Sequence, residues 1–123
     1  MNKTLSSEIQ AFEPSLVTKA SQFCLQNINH FKSKGLILHN FSFARNLSNH
    51  IAELGSHCGI SDADITAPRI AAFMLVLGYQ DDYENPWELS IHYLKEFSRS
   101  NNIEEAINDK IAYTLYSPSL LRE

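Results

Sequence analysis

The sequence predicts an all-α domain built as a bundle of five to six helices. Two observations carry this. Apolar residues recur at steps of three and four along most of the chain, which is the period of a helix with one buried face. The four glycines and four prolines read as punctuation around those stretches, and no stretch alternates as a half-buried strand would.

The elements follow in order. Pro14 suits the first turn of a helix, where its missing N–H costs nothing. Leu16, Val17, Ala20, Phe23, Cys24 and Ile28 then recur at helical spacing. The first helix is expected from about Pro14 to Phe31, with Ser33, Lys34 and Gly35 as stop and connector. Leu36, Ile37 and Leu38 lead into a second helix, whose apolar series is Ala44, Leu47, Ile51 and Leu54 and whose end is Cys58-Gly59. Ser61 or Asp62 caps the third helix. It carries Ile65 and the run Ile70 to Leu77, is apolar on all sides, and is expected to be the buried centre, stopping at Gly78. The rival reading of that run is a buried strand; Ala71, Ala72, Met74 and Leu75 favour helix. Gln80 to Pro86 reads as a polar loop. Pro86 opens a fourth helix carrying Trp87, Ile91, Leu94 and Phe97. After Asn101-Asn102 comes a fifth, with Ile103, Ile107, Ile111 and Leu115, ending at Ser117-Pro118. The 123 residues fit one domain over 1–123, without repeat or linker.

Composition excludes several function classes. The apolar share is 44% and the charged share 20%, as in ordinary globular chains. A net charge of −4 with scattered Lys and Arg argues against a nucleic-acid surface. The longest apolar run cannot span a bilayer, which needs about 20 residues. Residues 1–10 hold no apolar stretch of signal-peptide length. Two cysteines, Cys24 and Cys58, form no CxxC and are expected as reduced thiols. The expectation is a cytoplasmic protein without membrane or nucleic-acid partner.

The histidines do not make a metal site by spacing. His39 and His50 would lie about 16 Å apart along a helix, and His50 and His57 about 10 Å. His30 and His92 have no ligand-like companion at i+3 or i+4 and read as surface or capping residues. Asp81, Asp82, Glu84 and Asn85 form an oxygen-rich loop that lacks the alternation and glycine of an EF-hand, so it reads as a solvated acidic loop.

Three pieces together carry a resemblance. Leu38-His39-Asn40-Phe41 begins a helix. About thirty residues later comes Ala71-Ala72-Phe73-Met74-Leu75-Val76-Leu77-Gly78-Tyr79. Tyr83-Glu84-Asn85 and then Glu88-Leu89-Ser90 follow. In this order they resemble the HD superfamily of metal-dependent phosphohydrolases, whose small members show patterns like YHNxxHT, AALLHDIGY and YENHExxS. The match runs from about Leu36 to Thr114. It implies an HD-domain-like helical bundle.

The departures decide what the resemblance implies for activity. The second histidine of the first motif falls on Phe43. The His-Asp pair falls on Leu75 and Val76, and the loop histidine on Pro86. The family's final aspartate is expected further downstream than Glu123. His39 and Asn40 remain; in related phosphodiesterases a histidine at the position of His39 donates a proton to the leaving group, beside a metal-activated water. A divalent metal needs several lone-pair donors at about 2.0–2.6 Å, and Phe, Leu, Val and Pro supply none. Without the metal nothing lowers the pKa of the attacking water. A lone histidine acid is worth only about 10² to 10⁴ in rate.

The expectation is therefore a catalytically inactive HD-like module, without metal or cofactor, that works by binding or regulation. A remnant cleft formed by His39, Asn40, Asp82 and Asn85 is expected to hold any small ligand, and Trp87 to serve an interface with a protein partner or a second copy. Trp87 filling core space is the competing reading. Phe43, Leu75 and Val76 are expected to pack together where the family holds metal, and His39 to cap the second helix or bond a nearby loop. The alternative is an active hydrolase completed by ligands from another subunit or a longer native chain. A third reading is a regulatory module of a larger signalling protein.

Overall fold

The computed structural model describes residues 14–29, 40–82 and 84–116. They form five α-helices and no strand: α1 (Pro14–Asn27), α2 (Phe41–His57), α3 (Asp62–Asp81), α4 (Trp87–Asn101) and α5 (Glu105–Tyr116). The run Ile70–Leu77 is helical, as its good helix formers predict. His30, His39, Tyr83, and the helix ends expected at Phe31 and at Ser117-Pro118 lie outside the described residues. No helix among the described residues is long and apolar enough to cross a membrane.

Helix α3 is the axis of the bundle, and each of the other four helices packs against it. Every residue from Ile70 to Gly78 is buried. A helix apolar all round is stable only when neighbours cover every side, and α3 has four. The core gathers Leu16, Ala20 and Cys24 of α1, Ala44 of α2, Leu94 and Phe97 of α4, and Ile111 and Leu115 of α5 around it. Phe23 meets Phe97 edge-on, with ring centroids 5.4 Å apart, which joins α1 to α4.

Local signals stop and start the helices. Gly59, at φ 73°, follows the last turn of α2 in the left-handed conformation that glycine adopts without a Cβ penalty. There the Ile60 N–H reaches the Gly55 carbonyl at 2.9 Å and the Gly59 N–H the Ser56 carbonyl at 3.2 Å, a Schellman closure. Ser61 is the N-cap of α3, accepting from the Asp64 N–H at 3.2 Å. Asn102, at φ 50°, closes α4 in the same left-handed way.

The structure corrects several sequence expectations. Helix α1 ends at Asn27 because the side chain of Gln80, from α3, takes the next backbone groups. It accepts from the Asn29 N–H at 2.7 Å and donates to the Asn27 carbonyl at 2.9 Å. Leu54 belongs to no core face: it is 64% exposed, and α2 turns Ala44, Ser48 and Gly55 inward instead. Small residues let α2 approach α3 closely; a Cβ at Gly55 would overlap the Ile65 side chain. Helix α3 does not stop at Gly78 but runs three residues further, so Gln80 and Asp81 are helical rather than loop. Pro68 lies inside α3 rather than at an end. Pro86 is the N-cap of α4, and Ile103 precedes α5 while still packing on the core.

Candidate functional site

The polar residues of the expected cleft are held by local hydrogen bonds. Asn40 is the N-cap of α2: its Oδ1 accepts from the Phe43 N–H at 3.0 Å. The capping role expected for His39 thus has Asn40 as its occupant, which satisfies one of the orphan N–H groups of the first turn. Asp82 caps the other end of α3, its N–H reaching the Gly78 carbonyl at 2.9 Å. Its Oδ1 accepts from the Asn85 N–H at 3.1 Å, so Asp82 and Asn85 meet across an exposed turn. No hydrogen bond joins Asn40 to either of them. The structure joins Asp82 to Asn85 by that bond, while Asn40 is engaged as the cap of α2.

The positions that the resemblance would align with metal ligands separate into two groups. Leu75 and Val76 are each 0% exposed, deep in the core, and Pro86 is buried. Phe43 is 36% exposed and lies outside the core cluster. The expectation that Phe43 packs with Leu75 and Val76 is corrected: Phe41 takes the inward place, with its ring 5.9 Å from that of Phe73. Two residues apart on a helix point in different directions, so only one of them can face α3. None of these side chains carries a lone pair suited to a divalent metal, and the residues do not fit the metal centre that the resemblance implies. Among the described residues no three His, Cys, Asp or Glu side chains stand close enough to share a metal ion.

Trp87 opens α4 and is half-buried, packed against the core. Its start is set by a close contact. A Cβ at Gly78 would overlap the Pro86 carbonyl and the Ser90 hydroxyl, so only glycine lets the first turn of α4 lie against α3. Ser90 is fully buried and donates its hydroxyl to that same carbonyl at 2.8 Å.

The most connected polar cluster was not anticipated from the sequence. Gln80 is 4% exposed; besides its two bonds to the end of α1, its Nε2 donates to the Tyr93 hydroxyl at 3.1 Å. Tyr93 in turn donates to Asp81 Oδ2 at 2.6 Å. Burial, and then the hydrogen bond to Asp81, pushes the Tyr93 phenol up to about 12. The one available signal was Gln80 continuing the register of an apolar helix beyond a glycine. A second cluster pins α3 to α2: Arg69 Nε donates to the Ser48 carbonyl and hydroxyl at 3.1 and 3.2 Å. Burial lowers the Arg69 pKa, opposed by the charge of Asp62.

The two thiols differ. Cys24 is buried and free, and burial pushes its pKa up to about 12; Cys58 is free and exposed. His50, His57 and His92 are all exposed; against the sequence expectation His92 has a partner at i+4, its Nε2 standing 3.3 Å from Glu96. No family model, curated protein or solved structure matches this chain.

Proposed function

We propose that this chain is a binding module with an HD-like layout and without a phosphohydrolase metal centre. The observation that supports it is the burial of Leu75 and Val76. Both are 0% exposed in the middle of α3, at the register of the His-Asp pair of the family it resembles. A close-packed apolar site has neither donors for a cation nor room for a water to be activated. Such packing stabilises a domain kept for its shape.

On this reading His39, Asn40, Asp82 and Asn85 offer the polar groups for any small ligand, and Trp87 the aromatic edge for a protein partner or a second copy. Tryptophan is favoured in such contacts because it buries much area with few rotors.

The test is elemental analysis of the purified protein together with hydrolysis of bis(p-nitrophenyl) phosphate in added Mn²⁺. No stoichiometric transition metal and no turnover above the buffer rate are expected. Bound metal with hydrolysis that a chelator abolishes would overturn the reading. If that activity also rises steeply with protein concentration, a hydrolase completed by another subunit replaces it. Sedimentation of the parent against Trp87→Ala tests the interface, and an association unchanged by the substitution removes Trp87 from it.

A further inference from the structure

A second surface, remote in the chain from the HD-like residues, has its own chemistry. Between the start of α3 and the outer face of α5 runs an open cleft of about 400 Å³, lined by Asp64, Pro68, Asp109, Lys110, Tyr113 and Thr114. Tyr113 is 77% exposed, the most exposed large hydrophobic side chain of the helix, and Tyr116 beyond it is 59% exposed. Such aromatic area turned to water on a structured helix is the kind of feature that a partner covers.

The hydrogen-bonding groups of the cleft are unequally engaged. Its one cation, Lys110, stands 3.4 Å from Asp64 Oδ1 and is neutralised there. The Thr114 hydroxyl donates to the Lys110 carbonyl at 3.0 Å, and the Ser61 hydroxyl to Asp64 Oδ2 at 3.0 Å. An acceptor is left over. Asp109 is exposed and makes no hydrogen bond or ion pair among the described residues. Asp109 and Tyr113 are four apart on α5, which stacks a carboxylate and a phenol ring on one face, with Glu105 one turn before them.

We propose that this cleft receives an arginine side chain of a protein partner. A guanidinium is planar and carries five N–H donors with no acceptor, which complements a site of acceptors beside a ring. Its face stacks on Tyr113 while its N–H edge reaches the Asp109 carboxylate. The inference rests on reading the chain as a binding module, but not on the register of Leu75 and Val76.

The test is an NMR titration of the ¹⁵N-labelled protein with a blocked Gly-Arg-Gly peptide and its citrulline counterpart, which keeps the shape and loses the charge. The arginine peptide is expected to shift amides of residues 64–67, 69 and 109–114, and the citrulline peptide to leave them in place. Asp109→Asn should weaken binding about fivefold and Tyr113→Ala about threefold, the fold-changes of one exposed ion pair and one cation–π contact. Both residues are exposed, so the variants keep the parent's spectrum elsewhere. Equal shifts with citrulline, shifts spread over the whole acidic surface, or affinity unchanged in both variants would overturn the proposal. Phosphodiesterase activity in the metal assay would overturn the reading of Leu75 and Val76 while leaving this titration as it stands.

Discussion

Gln80 and Tyr93 meet at 3.1 Å, side chain to side chain, and so join the last turn of α3 to the middle of α4. The same amide donates to the Asn27 carbonyl that ends α1 and accepts from the Asn29 N–H beyond it. One buried glutamine therefore sets where three helices end or pass one another. Its oxygen accepts once and its nitrogen donates twice, the arrangement that makes a buried amide favourable.

Replacing it with an apolar side chain of similar size strands those partners. Gln80→Leu is expected to cost about 2–3 kcal/mol, since the part-buried Asn27 carbonyl, Asn29 N–H and Tyr93 hydroxyl lose their bonds together. For a domain of this size that lowers Tm by roughly 10 °C. Tyr93→Phe removes two hydrogen bonds, the one from Gln80 and the one to Asp81, and should cost about 1–2 kcal/mol. Chemical denaturation of the two single variants and the double variant measures the coupling; strictly additive effects would mean that the hydrogen bond contributes nothing. The Tyr93 phenol adds a pH dependence. Its pKa is raised by folding, so its contribution is fully present below the ordinary phenol value and is lost as pH rises through about 12.

Gly78→Ala reverses the usual sign. In an exposed helix interior this exchange gains about 1 kcal/mol. Here the new methyl would strike the Pro86 carbonyl, a backbone atom that moves only with the whole first turn of α4. We expect a net loss of about 1–3 kcal/mol by denaturant unfolding. Gly55→Ala is the comparison: its methyl meets the Ile65 side chain at Cδ1 and Cγ1 and no backbone atom, so relief needs one side chain to shift rather than a helix turn, and the loss should be smaller. Gly78→Ala as stable as the parent would show that α4 is not docked as described.

The start of α3 should weaken in acid. Hydrogen bonds from Ser61 and Lys110, and the charge of Lys110, hold the Asp64 carboxyl below its usual range. A carboxyl lowered by folding stabilises above its unfolded pKa, and the effect disappears as pH falls through the folded value. Ser61→Ala should cost about 1 kcal/mol at neutral pH, the cost of losing an N-cap. The gap between parent and variant should narrow below the carboxylate range, because the bond from Ser61 to Asp64 is lost there in both. A gap independent of pH would assign the whole effect to the backbone cap alone.

Features that depend on neighbours along the chain are legible in the residues. The period of three and four, the glycine after α2, Ser61 before α3 and the apolar run Ile70–Leu77 are signals read within one turn or two, and they place five helices and the central one among them. Other features depend on which surface a residue meets, and packing sets those. Leu54 fits the apolar series of α2, yet no helix covers that side, and it stays in water. Phe41 and Phe43 are alike in sequence terms, but the crossing of α2 over α3 turns Phe41 inward and leaves Phe43 at the surface. Gly78 reads as a stop because glycine is a poor helix former; Pro86 and Ser90 lie against it, so the same lack of a side chain becomes a packing requirement and the helix continues. Gln80 reads as loop because amides favour water, and it is buried because α1 and α4 bring it a full set of partners. Of the candidate site, Asp82 with Asn85 was legible as a pair close in sequence. The α3–α5 cleft was not, because Asp64 and Tyr113 stand far apart in the chain and only the packing of two helices makes them neighbours.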